Sequence, residues 1–328
     1  MAGTGKTHLR DASKAVLRIE DLVVEYKSGG TVVQAVSGIS LDVLDGETLA
    51  IVGESGCGKS SLGKGIMQLI ETKSGSIVLD GQSLTELSNE QLRQARQKMT
   101  MIFQDSISSL DPHMKVSKIV EQPLKIWKKG TAQERSAKVV ELLISVGLDP
   151  KVVSNRRPTE FSGGQCQRIN IARAVALEPR ILVCDEPVSS LDVSIQAQIL
   201  NLLQDMKDSH GLSLIFISHD LAVVRAISTR IIVMYLGKIC EISGPDALYS
   251  KPLHHYTHAL ISSVPIPDPT IKVTGAKLEG EPPSPVNPPS GCRFRTRCPA
   301  ATDICATEEP QLREVDEGHY IACHHPRS

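Results

Sequence analysis

One segment of the 328-residue sequence has the residue types and spacing of a phosphate-binding loop. Residues 53–60 read Gly-Glu-Ser-Gly-Cys-Gly-Lys-Ser, follow an apolar run at 49–52 and precede a helical pattern. This is the motif G-x-x-x-x-G-K-S/T in the strand, loop and helix context that it requires. Glycines let consecutive amides face phosphate oxygens, Lys59 can reach the terminal phosphates and Ser60 can bind Mg²⁺. We therefore predict a nucleotide site made by Gly53, Ser55, Gly56, Cys57, Gly58, Lys59, Ser60 and Ser61.

Two adjacent carboxylates follow an apolar run about 125 residues further along the chain. Residues 181–184 are Ile-Leu-Val-Cys, and Asp185 and Glu186 come directly after them. One carboxylate at such a strand end can hold the Mg²⁺ shell while its neighbour polarises an attacking water. Two acids alone are usually solvated, but the phosphate loop upstream favours a functional interpretation. We predict Asp185 as a magnesium ligand and Glu186 as the base.

A second anion site is indicated by residues 161–165, which read Phe-Ser-Gly-Gly-Gln and precede a helical pattern. A serine and two glycine amides then lie at a helix N-terminus, where partial positive charge favours anions. We therefore predict a second anion site at these residues.

The order of these motifs resembles the nucleotide-binding subunit of an ABC transporter. Between the phosphate loop and residues 161–165 lies Gln104, and after the acidic strand come Ser-Ser-Leu-Asp at 189–192 and Ser-His-Asp at 218–220. The motifs cover most of residues 16–260, with Phe161 where leucine is common in the family. The resemblance implies an ATPase with an α/β P-loop core, in which a mainly parallel sheet is joined by N-terminal antiparallel strands and a helical subdomain.

The resemblance also assigns roles to single residues. Gln104 resembles the glutamine that contacts Mg²⁺ and the attacking water, and His219 resembles the histidine that contacts the γ-phosphate. Tyr26 resembles the aromatic residue that stacks on adenine, for which a flat ring is suited. In the family, residues 161–165 correspond to a segment called the signature. Two domains form a head-to-tail sandwich in which each ATP lies between the phosphate loop of one domain and the signature of the other. The signature and neighbouring residues implied in nucleotide binding are Ser162, Gly163, Gly164, Gln165 and Asp192.

Two further stretches resemble the ATPase subunits of dipeptide and oligopeptide permeases. They are residues 103–112 and residues 255–269, the latter continuing into a cysteine-bearing tail. The resemblance implies uptake of dipeptides or oligopeptides at the cytoplasmic face of the cell membrane. The partners it implies are two integral membrane subunits, an extracytoplasmic substrate-binding protein and a second ATPase subunit, which we expect to be a homologous heterodimer partner. Importers of nickel and of glutathione share much of this pattern and stay open as alternatives.

Composition argues against other classes of protein. With 36 basic and 37 acidic residues and 3% aromatic residues, the sequence lacks the charge excess and rings of a nucleic-acid binder. A DNA-acting ABC ATPase with a zinc tail would be expected to show long heptads or C-x-x-C pairs, and the sequence shows neither. A two-domain ABC protein of translation would need two phosphate loops, and the sequence has one. No apolar stretch approaches the roughly 20 residues of a membrane span, and residues 1–30 hold no apolar run typical of an exported chain.

The elements that must position these residues follow an α/β pattern. Short β-branched runs at 49–52, 77–79, 100–103, 181–183, 214–217 and 231–234 alternate with helical patterns. Eight prolines between residues 263 and 290 predict an extended linker. The expected organisation is a disordered start at 1–15, a nucleotide-binding domain at 16–264 with a helical subdomain at about 105–178, a proline-rich linker at 265–290 and a cysteine module at 291–328.

The cysteine module is too short to build its own apolar core, so something else must hold it. It contains Cys292, Cys298, Cys305 and Cys323. Four thiolates can bind a tetrahedral zinc ion or a [4Fe-4S] cluster, and this wide spacing departs from the C-x-x-C turns around structural zinc. The resembling permease ATPases carry such a tail with a [4Fe-4S] cluster, which favours the cluster, in a structural or redox-sensing role. Free or disulfide-paired cysteines stay open, as does a zinc site that includes His319, His324 or His325.

Overall fold

The computed structural model describes residues 5–28, 30–263 and 280–328. The strands are β1 (Ala15–Ser28), β2 (Thr31–Leu44), β3 (Thr48–Val52), β4 (Ser74–Leu79), β5 (Gln82–Ser83), β6 (Met99–Ile102), β7 (Ile181–Asp185), β8 (Ser213–Ser218), β9 (Arg230–Tyr235), β10 (Lys238–Ser243), β11 (Arg313–Asp316) and β12 (His319–Ile321). The helices are α1 (Lys59–Ile66), α2 (Asn89–Ala95), α3 (Val116–Ile126), α4 (Ala132–Ser145), α5 (Pro150–Val153), α6 (Gly163–Val175), α7 (Val193–His210), α8 (Leu221–Ile227), α9 (Pro245–Ser250), α10 (His255–Ser262) and α11 (Asp303–Thr307).

The chain divides into two units. Unit one comprises Met1–Leu87 and Phe216–Ser328, and unit two comprises Ser88–Ile215. The boundary near residue 215 falls within β8, whose six residues are all buried. Each predicted β-branched run lies in a strand, except that β6 ends at Ile102 and leaves Phe103 exposed in the following loop.

Unit one combines an antiparallel sheet with part of a mixed sheet. The antiparallel sheet has the order β2-β1-β4-β5, and Leu17 and Ile19 of β1 are fully buried. In the mixed sheet, β3 pairs in parallel with β9. From β9 the sheet continues through β10, β12 and β11, each paired antiparallel to the strand before it. All five residues of β3 are buried, as expected for a strand covered on both faces. The phosphate loop follows this buried strand.

Unit two contains the parallel pair β6 and β7 and the helices α2 to α7. Helix α4 begins as its sequence indicates: Thr131 and Glu134 form a capping box in which each side chain accepts from the other's backbone amide. Gly147 follows the helix with a φ of +74°, the left-handed conformation that glycine adopts most readily.

The amino-terminal segment before β1 contacts β2. His8 is buried, and its Nε2 lies 2.7 Å from the Ser40 carbonyl oxygen. Of the predicted disordered start, residues 1–4 lie outside the described residues, as do residues 265–279 of the predicted linker. None of the helices in the described parts of the chain has both the length and the apolar character needed to cross a bilayer.

Candidate functional site

The phosphate loop of unit one depends on glycines at close backbone approaches. Gly53 has a φ of +154°, and a Cβ there would collide with the carbonyl oxygen of Met234. Gly58 has a φ of +103° at the N-cap of α1, and a Cβ there would collide with the carbonyl oxygen of Ala35. No side chain caps α1, so its first amides are left to other acceptors. The loop thus has glycine at the two close approaches that require it, and its binding of phosphate stays a prediction.

Lys59 is held by the loop that it is expected to serve. Its Nζ donates to the carbonyl oxygens of Gly53 at 2.8 Å and Glu54 at 3.0 Å, and its side chain is 5% exposed. Its ammonium also lies 3.9 Å from the Cys57 Sγ. Burial raises the pKa of Cys57, so this cysteine is a neutral thiol that fills space in the loop. The ammonium charge is thus kept at the loop, where phosphate oxygens would bind.

Tyr26 and His219 are both exposed side chains of unit one. The Tyr26 ring is 40% exposed at the end of β1, and its hydroxyl donates to Ser61 Oγ at 3.2 Å. His219 follows β8, in a turn where Asp220 N donates to Ser218 Oγ at 3.0 Å. The Asp220 carboxylate caps α8. The roles that the resemblance assigns to these two side chains stay predictions.

Gln104 and Glu186 meet within unit two. The Gln104 Nε2 donates to the Glu186 Oε2 at 2.9 Å. Strands β6 and β7 are parallel and their last registered pair is Ile102 with Cys184, so each of the two side chains lies two residues beyond that pair. Glu186 is 9% exposed and has a φ of +47°, an unusual conformation for a residue other than glycine. The hydrogen bond from Gln104 therefore orients the Glu186 carboxylate. Gln104 is also the residue that the resemblance assigns to contact with the attacking water.

The signature of unit two begins α6. Ser162 is the N-cap, and its side chain and that of Gln165 form a capping box with each other's backbone amides. A Cβ at Gly164 would lie 2.6 Å from a methyl carbon of Ile195, so close contact with α7 requires glycine. Asp192 is the N-cap of α7. Asp185 is buried at the end of β7.

The four cysteines of the module lie in one neighbourhood. Cys305 and Cys323 are buried, Cys292 and Cys298 are half-buried, and all four are free. The Cys292 amide donates to the Cys305 carbonyl oxygen at 2.8 Å. Burial first, and then the charge of neighbouring cysteines, raises the pKa of Cys292 and Cys298 and brings that of Cys323 to about 11. The thiols of Cys292, Cys298 and Cys323 are therefore protonated near neutral pH.

The module does not gather these residues around a single ion. Within residues 5–28, 30–263 and 280–328, no group of three or more His, Cys, Asp or Glu side chains is placed to hold a metal ion. The histidines of the zinc alternative have other partners: His319 Nε2 lies 2.7 Å from Glu241 Oε1, His324 Nε2 lies 3.0 Å from the Glu308 carbonyl oxygen, and His325 Nε2 lies 2.6 Å from Thr302 Oγ1.

Sequence reasoning missed the residues that hold Glu54 in the phosphate loop. The Glu54 amide donates to the Tyr256 hydroxyl at 2.8 Å, and the Glu54 carboxylate pairs with Arg297. The sequence did contain one signal for this contact, which is Arg297 directly before Cys298. The cysteine module is too short to form its own core, so a charged residue within it could be expected to bind another part of the chain.

The fold and the loop define a P-loop protein of the ATP-binding cassette class. Residues 36–189 match the ABC transporter family, and residues 240–305 match the C-terminal region of oligopeptide and dipeptide transporters. An ATP-binding cassette, MJ0796, in a dimeric post-hydrolysis state with ADP and Pi has 29% identity and a TM-score of 0.64, covering 70% of this chain and 98% of that chain. The cbiO1 protein of Clostridium perfringens, part of the ABC transporter complex cbiONQ, has 26% identity and a TM-score of 0.65, covering 72% and 91%.

Two curated relatives match along nearly the whole chain. The probable peptide ABC transporter ATP-binding protein y4tS of Sinorhizobium fredii is 48% identical over 319 residues, covering 95% of this chain and 90% of the relative. The oligopeptide transport ATP-binding protein OppF of Escherichia coli is 48% identical over 325 residues, covering 95% and 97%. The chain belongs to the ABC transporter family, among the ATPase subunits of the dipeptide and oligopeptide permease subfamily. The predicted family, fold class and ATPase activity are confirmed.

Proposed function

We propose that the chain is the ATP-hydrolysing subunit of a bacterial-type ABC importer and that it powers the uptake of dipeptides or oligopeptides. The observation that carries the proposal is the match of residues 240–305 to oligopeptide and dipeptide transporters, in a chain 48% identical to OppF. The phosphate loop and the Gln104–Glu186 pair support ATP turnover. They are common to the family and do not select the transported compound.

Within this function, ATP and Mg²⁺ are the cofactors, and each site residue has a proposed role. Lys59 and the loop amides bind the phosphates, Glu186 accepts the proton of the attacking water, and His219 contacts the γ-phosphate. Tyr26 stacks on adenine. Magnesium is bound through Ser60, Gln104 and Asp185. The hydrogen bond from Gln104 supports the assignment of Glu186, because a base must be oriented toward the water that it activates.

The partners we propose are two integral membrane permease subunits, an extracytoplasmic substrate-binding protein and a second, homologous ATPase subunit. They would hold the chain peripherally at the cytoplasmic face of the membrane. The names of the relatives, as transport and import ATP-binding proteins, support such an assembly. We also retain the domain bounds 16–264, 265–290 and 291–328 as proposals.

We further propose that Cys292, Cys298, Cys305 and Cys323 bind a [4Fe-4S] cluster. The four cysteines are neighbours, because the Cys292 amide donates to the Cys305 carbonyl oxygen at 2.8 Å and the other three cysteines contribute to the raised pKa of Cys323. They form a suitable set of thiolate donors, and each would bind a different iron rather than converge on one ion. Anaerobic purification should give a brown protein with about four irons per chain. Cys166→Ser, which alters a buried cysteine of unit two, is the control and should keep the iron. One zinc per chain, or no metal and unchanged stability after all four cysteines become serine, would refute the cluster.

The transport function is tested on the assembled complex. A tagged chain is purified from membranes, its partners are identified by mass, and ATP hydrolysis is measured in lipid with the substrate-binding protein. Peptide-loaded binding protein should stimulate hydrolysis several-fold, and the complex with Glu186→Gln should stay unstimulated. Absence of membrane subunits, or stimulation by nickel or glutathione and not by peptides, would refute peptide import.

A further inference from the structure

Glu54 of the phosphate loop is gripped by an arginine from the cysteine module. Arg297 Nη1 lies 2.7 Å from Glu54 Oε2, and Arg297 Nη2 lies 3.1 Å from Glu54 Oε1. The Arg297 side chain is 4% exposed and that of Glu54 is 26% exposed. Two parallel hydrogen bonds of this kind fix the orientation of the carboxylate as well as neutralise its charge. Both residues belong to unit one.

The backbone of Glu54 links this ion pair to the lysine of the loop. The Glu54 carbonyl oxygen accepts from Lys59 Nζ at 3.0 Å, and the Glu54 amide donates to the Tyr256 hydroxyl at 2.8 Å. Side chain, amide and carbonyl of one residue are therefore all held. A change in the orientation of Glu54 would move one of the two carbonyl oxygens that hold the Lys59 ammonium.

Arg297 lies in the short segment 292–298, which also contains two of the four cysteines. Phe294 in this segment is 2% exposed, and its ring centroid lies 5.2 Å from that of Tyr235 and 5.4 Å from that of Tyr256. The rings of Phe294 and Tyr235 meet edge to face and those of Phe294 and Tyr256 are tilted, and ring contacts at these distances stabilise one arrangement of the cluster. The segment thus anchors beside the loop through an aromatic cluster and extends Arg297 to Glu54.

We propose that Arg297 is a positioning residue for ATP binding, which neutralises the Glu54 carboxylate and fixes the phosphate loop in its binding conformation. The proposal rests on the proposed function, because it assumes that ATP binds to this loop. Without Arg297, an unpaired carboxylate would remain in the loop that receives the polyphosphate, and like charges repel. The cysteine module would then act on the nucleotide without contacting it.

The test measures ATP affinity and turnover of the full chain for three variants. Arg297→Gln should weaken binding of a fluorescent ATP analogue and raise the KM for ATP about tenfold, within the range of typical coupling between sites. The kcat at saturating ATP should change less than about twofold, because no reacting group is altered. Arg297→Lys keeps the charge but not the bidentate fork and should give an intermediate KM.

Glu54→Gln provides the decisive comparison. It removes the carboxylate whose charge Arg297 neutralises, so the double variant with Arg297→Gln should bind ATP more tightly than Arg297→Gln alone, a non-additive result expected of residues that act together. A loss in the double variant as large as in Arg297→Gln would refute the charge argument. Glu54→Gln and Arg297→Lys also keep the test open if Arg297→Gln fails to fold.

Lys238→Gln is the matched control for stability. It breaks the 2.6 Å ion pair between Lys238 and Glu309, which also joins the module to the core but does not include a loop residue. Thermal unfolding should register its loss while the KM for ATP stays unchanged. If Arg297→Gln lowers stability and leaves the KM unchanged, the positioning role is wrong. A wild-type chain that neither binds the ATP analogue nor hydrolyses ATP would instead refute the proposed function.

Discussion

Replacing Glu186 with glutamine separates the chemical step from nucleotide binding. Glutamine has the size of glutamate, and its amide oxygen can still accept the hydrogen bond that Gln104 donates at 2.9 Å. The variant loses the ability to take a proton from the attacking water. Loss of a general base lowers a rate by about 10² to 10⁴-fold. This corresponds to about 2.7 to 5.4 kcal/mol in the activation free energy.

We expect turnover of Glu186→Gln to fall by at least about 100-fold. Glu186 is only 9% exposed, so bulk water has little access to replace the base. ATP affinity should change less than about threefold, because the bonds that hold Lys59 in the phosphate loop involve only loop residues. The ATP-bound protein should therefore accumulate.

The assay pairs phosphate release at saturating ATP with a titration of a fluorescent ATP analogue. Glu141→Gln is the control, since it neutralises an exposed glutamate of the same unit that pairs with Lys138. This control should turn over at the wild-type rate. Hydrolysis by Glu186→Gln at the parental rate would show that the base is another residue, and a matching loss of affinity would assign Glu186 to binding.

Three further variants test other parts of the molecule. Lys59→Ala should weaken ATP binding at least about tenfold in the same titration, because a charge-assisted contact to phosphate is lost. Asp42→Asn should lower the free energy of unfolding in urea by about 3 to 5 kcal/mol, since Asp42 is fully buried and Arg230 lies 2.9 Å away. Burial opposes the ionisation of Asp42, but the hydrogen bond from Arg10 and the charge of Arg230 lower its pKa. The ionised Asp42 therefore contributes its full stabilisation above the unfolded pKa of about 3.9, and this stabilisation is lost as pH falls through the lower folded pKa. The Asp42→Asn variant should lack this part of the pH dependence. Ile107 is 53% exposed in the segment 103–112, so Ile107→Ser should spare basal hydrolysis and reduce peptide-stimulated hydrolysis in the complex. Equal losses of basal and stimulated hydrolysis would assign this segment to nucleotide chemistry.

Local geometry explains which features the sequence predicts well. The phosphate loop is specified within eight residues, because Gly53 and Gly58 adopt backbone conformations and approaches that no side chain permits. The capping box of Thr131 likewise encodes the start of α4 within one turn. In both places the residues that determine the structure are neighbours along the chain, so a pattern of residue types is enough to find them.

Contacts between distant residues follow from strand register and packing, which a pattern of residue types does not contain. Gln104 and Glu186 are 82 residues apart, and they meet because each lies two residues beyond the last registered pair of β6 and β7. Glu54 and Arg297 are 243 residues apart and meet because Phe294 packs into an aromatic cluster beside the loop. A parallel pair places the ends of its strands at one edge, so the first contact could be anticipated once the pairing is known. The second depends on the shape of a packed core, and only the three-dimensional structure reveals it.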